Sequence, residues 1–492
     1  MSSKVAIQRL PTGVPGLDQV LGGGLPEFSF NLIAGQPGCG KTTLAHQIMF
    51  SLATTQRPAI YFTVLGEPPM KMLRYQQQFD FFDNERVNDS VRFINLSEDA
   101  ANGDLDRVLA RIGEAVATYE PGLVFVDSFR SVMIASETNG NPQSPTHRLQ
   151  QFVQQLGMMM TSWQATTFLI GEYFIETDAN PVFTVADGLI WLRQSVQRNS
   201  MVRKIEILKM RGQPTLPGLH TFRIASSGIQ IFAPAGHQTM ASSAETVASA
   251  PATDTRLQLG VPELDEMLGG GLPRGYSLLV AGPSGSGKSI LAAAFLAEGA
   301  RRGETGVVAA FEQRSHQAQN RIIAELVASG QVGLVDSRAP DLSIDEVIGL
   351  LLSEITRLGA TRVVIDSLSG FELAVAPTFR EDFRESLARL VLAMAGAGVT
   401  ILMTSELEDR YTDLRFSPYG TAFLTDAIIV QRYIEIDSRL RRLLAVVKLR
   451  GSAHSDQLRE FHIDDQGLQI GAPLADQEGL LGGRPRQKSK TA

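Results

Sequence analysis

The sequence predicts an α/β chain of two tandem domains, each a mostly parallel sheet covered by helices. Three observations predict it. Short apolar runs alternate with helix-length amphipathic segments, the pattern of parallel strands joined by crossover helices. The pattern G-x-x-x-x-G-K-[ST] occurs twice, each time after an apolar run and before a helix-like segment. The surroundings of the first copy also recur in the second at an offset of 247 residues, so that Gly13 answers to Gly260 and Lys41 to Lys288. A repeat of that length is a duplicated domain, because solenoid repeats are far shorter.

In order along the chain, the first copy opens with Gly13-Val14-Pro15-Gly16-Leu17-Asp18 and runs through Gly22-Gly23-Gly24-Leu25-Pro26. Its predicted strands are Asn31 to Ala34, Ala59 to Thr63, Leu123 to Asp127, Thr167 to Ile170 and Met201 to Lys209. The second copy repeats the opening from Gly260 to Asp265 and from Gly269 to Pro273. Its predicted strands are Ser277 to Ala281, Gly306 to Phe311, Arg362 to Asp366, Val399 to Met403 and Leu440 to Lys448. After the glycine-rich loops the offset shrinks to 239, as for Asp127 and Asp366, so the second copy is eight residues shorter there. The expected domains are 1–233 and 256–471. Residues 234–255, rich in Ala, Ser, Thr and Pro, form an expected flexible linker, and 472–492 an expected mobile tail.

Bulk composition narrows the function classes. A chain of 492 residues is too long for one ordinary core. With a formal charge of −7 and its basic residues dispersed, nucleic acid is not an expected partner. One cysteine excludes an internal disulfide and suggests a reducing compartment. No apolar run reaches membrane-spanning length and Met1 to Arg9 lacks a secretory core, so a cytoplasmic location without membrane contact is expected.

The two glycine-rich stretches carry the chemistry. Gly35, Gln36, Pro37, Gly38, Cys39, Gly40, Lys41, Thr42 and Thr43 form one, and Gly282, Pro283, Ser284, Gly285, Ser286, Gly287, Lys288, Ser289 and Ile290 the other. Glycines let successive N–H groups turn toward an anionic oxygen, the following helix adds its positive end, and the lysine adds a full charge. Such loops cradle a nucleotide triphosphate, here expected to be ATP with Mg2+. The hydroxyls of Thr42 and Ser289 are expected on the metal, with Asp127 and Asp366 holding its water shell from the end of an apolar strand. Cys39 reads as a small residue at a permissive loop position. Glu67 and Glu312, after the second strand, are the expected groups that orient the attacking oxygen. Glu172 and Glu406, at the end of the next strand, are weaker candidates for sensing the terminal phosphate. The pairs Lys209 and Arg211, and Lys448 and Arg450, match in spacing. They are expected to reach a neighbouring subunit's site, where a supplied arginine stabilises the charge of phosphoryl transfer.

These motifs together resemble the KaiC family, a branch of the RecA-like P-loop ATPases. The carriers are the Gly-x-Pro-x-Leu-Asp and Gly-Gly-Gly-Leu-Pro lead-ins, the paired loops, Asp-Ser after the third strand and Lys-x-Arg-Gly. The resemblance implies two RecA-like domains, a two-tiered homo-hexamer with ATP between subunits, slow hydrolysis, and in clock members autophosphorylation of the C-terminal tier. Two departures stand out. Clock members carry two adjacent glutamates after the second strand, where this chain has Gly66-Glu67 and Glu312-Gln313. They also carry a Ser-Thr acceptor pair before an Ile-Thr-Asp run, where this chain has Ala422 and Phe423 before Leu424-Thr425-Asp426. Thr421, one step away, turns to the opposite face in an extended segment. The leading expectation is an ATP-hydrolysing ring that reports to an unidentified signalling protein. The alternatives are a Ser/Thr autokinase using Thr421, Thr425 or Ser417, a RecA-like DNA-handling ATPase, and a nucleotide-gated scaffold.

Overall fold

The computed structural model describes residues 7–64, 69–100, 104–128, 145–173, 181–197, 200–234, 255–311, 320–336, 342–375, 379, 383–407, 421–436, 438–465, 467–474, 477–478 and 486–487. The chain divides into two compact units, Met1–Ala233 and Pro234–Ala492. Most of the expected linker lies outside the described residues.

The principal elements of the first unit are β1 (Phe30–Gly35), α1 (Lys41–Leu52), β2 (Ala59–Thr63), β3 (Val91–Asn95), α2 (Leu105–Tyr119), β4 (Leu123–Asp127), α3 (Pro145–Ser162), β5 (Thr166–Glu172), β6 (Gly188–Gln197), β7 (Ser200–Met210), β8 (His220–Ala225) and β9 (Gly228–Phe232). They build one nine-stranded sheet in the order β9-β8-β7-β6-β1-β5-β4-β2-β3. The six strands from β6 to β3 in that order are parallel; β7, β8 and β9 add antiparallel at one edge.

The second unit repeats this plan. Its elements are β10 (Ser277–Gly282), α4 (Lys288–Arg301), β11 (Gly306–Ala310), α5 (Arg321–Ala328), β12 (Val332–Asp336), α6 (Ile344–Leu358), β13 (Arg362–Asp366), α7 (Phe383–Gly396), β14 (Thr400–Glu406), β15 (Ala427–Ile436), β16 (Arg439–Leu449), β17 (Arg459–Asp464) and β18 (Gly467–Pro473). The sheet order, β18-β17-β16-β15-β10-β14-β13-β11-β12, is the first sheet's order strand for strand. Two tandem RecA-like α/β domains are therefore present. Beyond Pro473, Gln477–Glu478 pairs antiparallel with Arg486–Gln487.

The central strands form where they do because both faces of the sheet are covered. Every residue of β1 is buried. Ile33 packs into the cluster under α1, while Phe30, Leu32 and Ala34 pack into the opposite one under α2 and α3. Such two-faced burial needs a continuous apolar run, and each fully buried Leu, Ile or Phe contributes about 1.5–3 kcal/mol. The helices have local start and stop signals. Asp104 caps α2 by accepting from the N–H groups of Asp106 and Arg107. Ser343 and Glu346 form a capping box on α6, which ends at Gly359 with φ of 64°. The Gly-Gly-Gly-Leu-Pro segment of each copy ends in a short ladder, Arg9–Leu10 with Leu25–Pro26 and Arg256–Leu257 with Leu272–Pro273.

Candidate functional site

In parallel sheets of this kind, ligands bind outside the carboxyl ends of the strands. The register brings the expected site residues to that edge. Gly35 at the end of β1 pairs with Glu172 at the end of β5, and Thr63 at the end of β2 with Asp127 at the end of β4. In the second unit Gly282 pairs with Glu406 and Ala310 with Asp366. The peptide after each acid, Asp127–Ser128 and Asp366–Ser367, is cis.

Each glycine-rich loop turns directly into a helix. Gly40 and Gly287, the residues before α1 and α4, have φ of 105° and 107°, a left-handed region that side chains rarely adopt. A Cβ on Gly40 would stand 2.8 Å from Ile224 Cδ1, and one on Gly287 2.7 Å from Ile463 Cδ1. The Lys41 ammonium donates to Gln36 O at 2.8 Å and lies 3.9 Å from the Cys39 thiol. Lys288 donates to Gly282 O and Pro283 O, both at 2.8 Å. Both cations thus sit over their own loops.

Around the first loop is a cavity of ≈ 330 Å³, whose lining includes Gly38, Gly40, Lys41, Thr42, Asp127 and Glu172. Thr42 Oγ1 donates to Asp127 Oδ2 at 2.9 Å, so the two expected metal-site groups are in contact. The same oxygen accepts from Tyr61 Oη at 2.7 Å. Burial raises the Asp127 carboxyl above the usual range, opposed by the bonds from Tyr61 and Thr42 and by the Lys41 charge. Burial and the adjacent carboxylate push the Tyr61 phenol well up, so it remains a neutral donor. In the second unit Asp366 Oδ1 accepts from Thr404 Oγ1. One hydroxyl, one carboxylate and a lysine beside a phosphate cradle fit a divalent cation carried on a triphosphate. Among the described residues no group of three or more His, Cys, Asp or Glu could hold a metal by itself, and a cation bound partly through substrate phosphates needs none.

Glu67, Glu312 and Ser417 lie outside the described residues. The Lys-x-Arg pairs are engaged within their own domains. Lys209 Nζ donates to Phe183 O at 3.2 Å and Thr184 O at 3.1 Å, carbonyls of the short helix Pro181–Val185. Arg211 pairs with Asp187 at 3.1 Å. Lys448 donates to Ala422 O and Thr425 O at 2.6 Å, and Arg450 to Asp426 Oδ1 at 3.3 Å and Phe423 O at 2.6 Å. Each arginine follows the last strand residue, so the two members of a pair take different partners, yet they stay close: burial and then the charge of Arg211 or Arg450 lower Lys209 and Lys448 below the usual lysine range. Both arginine side chains are more than half exposed.

A family model described as "ATPase: KaiC" matches residues 10–236 and 257–475. The chain belongs to the KaiC family. Among curated relatives, it is 27% identical over 500 residues to the circadian clock oscillator protein KaiC of Prochlorococcus marinus (strain MIT 9313), covering 99% of this chain and 97% of that one. It is 28% identical over 498 residues to the circadian clock protein KaiC3 of Synechocystis sp., covering 97% of this chain and 95% of the relative. A KaiC of Thermostichus vulcanus is 26% identical over 500 residues, covering 99% and 93%. The family makes this chain a KaiC-type ATPase.

Sequence reasoning missed Tyr61 and Thr404. Both read as ordinary strand residues, and only the strand register sets their hydroxyls against the acids. A comparison of the two copies holds a signal: Tyr61 stands where the second copy has Val308, and Thr404 where the first has Ile170.

Proposed function

We propose that this protein binds Mg-ATP separately in each half and hydrolyses it slowly as a homo-hexameric ring, with ATP between subunits and its nucleotide state read by a signalling partner. The contact of Thr42 with Asp127 beside the Lys41 loop carries this reading, because it joins a P-loop hydroxyl to a strand-end acid as a phosphate-bound cation requires. Magnesium, when bound, would neutralise charge on the terminal phosphates. The loop N–H groups and Lys41 or Lys288 orient the triphosphate. In hydrolysis, water attacks the γ-phosphorus, the bond to the β,γ-bridging oxygen breaks, and ADP leaves. Glu67 and Glu312 are the proposed carboxylates that orient this water and take its proton. The clock names of the relatives support a regulatory role.

The autokinase alternative has less support. Ala422 and Phe423 offer no hydroxyl, Thr421 to Phe423 form one 3-10 turn where the sequence suggested an extended segment, and Thr425 is buried.

One sample answers both questions: molar mass with and without Mg-ATP, phosphate release, and intact mass. A nucleotide-dependent ring with slow phosphate release and no added phosphate is expected. Absence of magnesium-dependent ATP uptake by either half, measured by calorimetry, would overturn the proposal.

A further inference from the structure

The strand-end acid, Asp127 on β4 and Asp366 on β13, is braced from opposite sides in the two halves. In the first, the hydroxyl comes from β2, where Tyr61 donates to Asp127. In the second it comes from β14, where Thr404 donates to Asp366. The exchange is reciprocal: β11 has Val308 at the position of Tyr61, and β5 has Ile170 at the position of Thr404. Tyr61 is moreover fixed in place. Its ring lies 4.5 Å from that of His46 on the P-loop helix, 5.6 Å from Phe93 and 5.9 Å from Phe125, and it is fully buried. His46 is fully buried too, and burial lowers its pKa to about 4, so it packs as a neutral ring. Ala293 takes its place in the second half, matching the loss of the phenol there.

A buried phenol caged by three rings has one accessible hydroxyl position. It therefore fixes the orientation of the carboxylate it touches, as outer-shell partners do for metal ligands. We infer that Tyr61 in the N-terminal half and Thr404 in the C-terminal half are non-equivalent positioning residues, each aiming its own acid at the cation carried by the nucleotide. This rests on the Mg-ATP reading above. Its consequence is that the N-terminal metal site is tied to β2, whose chain continues toward Glu67, and the C-terminal one to β14, which ends at Glu406. A movement of either strand then reaches the metal in one half only.

The test uses Mn2+ in place of Mg2+, with electron paramagnetic resonance reporting bound Mn2+ in the full chain. Lys288→Ala confines nucleotide to the N-terminal half and Lys41→Ala to the C-terminal half. In the Lys288→Ala background, Tyr61→Phe is expected to raise the Mn2+ half-saturation in the presence of ATP roughly tenfold. ATP affinity in EDTA should stay unchanged, and Thr404→Val should leave the Mn2+ half-saturation unchanged. In the Lys41→Ala background the two substitutions should exchange roles. Unchanged Mn2+ half-saturation in Tyr61→Phe, or equal effects of both substitutions in both backgrounds, overturns the inference while leaving Mg-ATP binding intact. Absence of any ATP-dependent Mn2+ signal in the unsubstituted protein overturns the Mg-ATP reading itself, and the inference with it.

Discussion

Ser286 Oγ donates to Gln431 Oε1 at 3.0 Å beneath the second phosphate loop, and both side chains are buried. At the corresponding positions of the first half stand Cys39 and Leu192, two members of one apolar cluster. The duplicated loops thus rest on different floors, one polar and bonded, one apolar. Changing one member of the polar pair leaves a buried group without its partner, which costs about 1–3 kcal/mol. Ser286→Cys and Gln431→Leu should each destabilise the second domain by up to that order. The double change Ser286→Cys with Gln431→Leu, which copies the first half, should recover part of the loss. A denaturant double-mutant cycle measures it, and strictly additive losses would refute the coupling.

Gly40 and Gly287 make a second pair, with φ of 105° and 107° at the loop-to-helix junction. An alanine there is strained by roughly 1–2 kcal/mol whatever room its methyl finds. The chain can relieve the strain by turning the loop N–H groups away from the phosphates. Gly40→Ala should therefore abolish ATP uptake by the N-terminal half, and Gly287→Ala that of the C-terminal half, with only a small loss of stability. Calorimetry set beside thermal unfolding separates the two effects, and full ATP affinity in either variant would contradict the cradle assignment.

Asp265 gives a prediction in pH. Its carboxylate accepts from the Leu259 N–H at 2.8 Å, whereas Asp18 in the first half accepts from both the N–H and the hydroxyl of Thr12. Leu259 supplies no hydroxyl. Burial, with Glu298 nearby and only partly offset by the amide bonds and Arg302, pushes Asp265 up to about 6. A carboxyl raised on folding binds more protons in the native state. Its contribution is fully present below the unfolded value near 4 and is lost as pH rises through about 6. Asp265→Asn keeps an acceptor for Leu259 and carries no charge. Between pH 4.5 and 7.5 its stability relative to the parent should therefore improve by on the order of 2–3 kcal/mol. Urea unfolding across that range reads the difference, and a pH-independent difference would refute it.

What the sequence revealed and what it concealed follow from where the information lies. Four of the parallel strands in each half were legible because two-faced burial demands an uninterrupted apolar run, as in Leu123 to Asp127, but Gly188–Gln197 and Ala427–Ile436, which flank β1 and β10, were missed. Edge strands such as Val91–Asn95 were not legible, since an edge strand can carry Arg92 and Asn95 without burying them. The antiparallel extension β8–β9 was missed because short strands with Arg223 and Gln230 lack a distinctive period. The loops, lysines and strand-end acids were legible as motifs fixed along the chain. Tyr61 and Thr404 act across strands, and register is not written in any single strand. For Lys209 and Arg211 the spacing was visible but the turn after Met210 was not, so their separate partners came only with the structure.

The arginines carry the last prediction. Asp187 accepts from Arg211 through Oδ1 and from the Phe30 N–H through Oδ2, so one carboxylate joins the arginine turn to the start of the strand that ends in the phosphate loop. Asp426 does the same between Arg450 and Ser277. Both arginines are largely exposed, and exposed pairs contribute under about 1 kcal/mol. In the proposed ring, little would therefore oppose an arginine leaving its aspartate for a neighbouring subunit's terminal phosphate, whose developing charge a guanidinium can stabilise by 10³-fold or more in rate. Arg211→Ala and Arg450→Ala should leave stability within about 1 kcal/mol of the parent. Each should lower kcat in its own tier by on the order of 10³ with ATP affinity nearly unchanged. Mixing either variant with a subunit carrying Glu67→Gln or Glu312→Gln in the same tier should restore part of the activity, because some interfaces would then combine an intact arginine with an intact glutamate. Equal loss of affinity and turnover, or no rescue on mixing, would show that each arginine serves only the aspartate it bonds in its own domain.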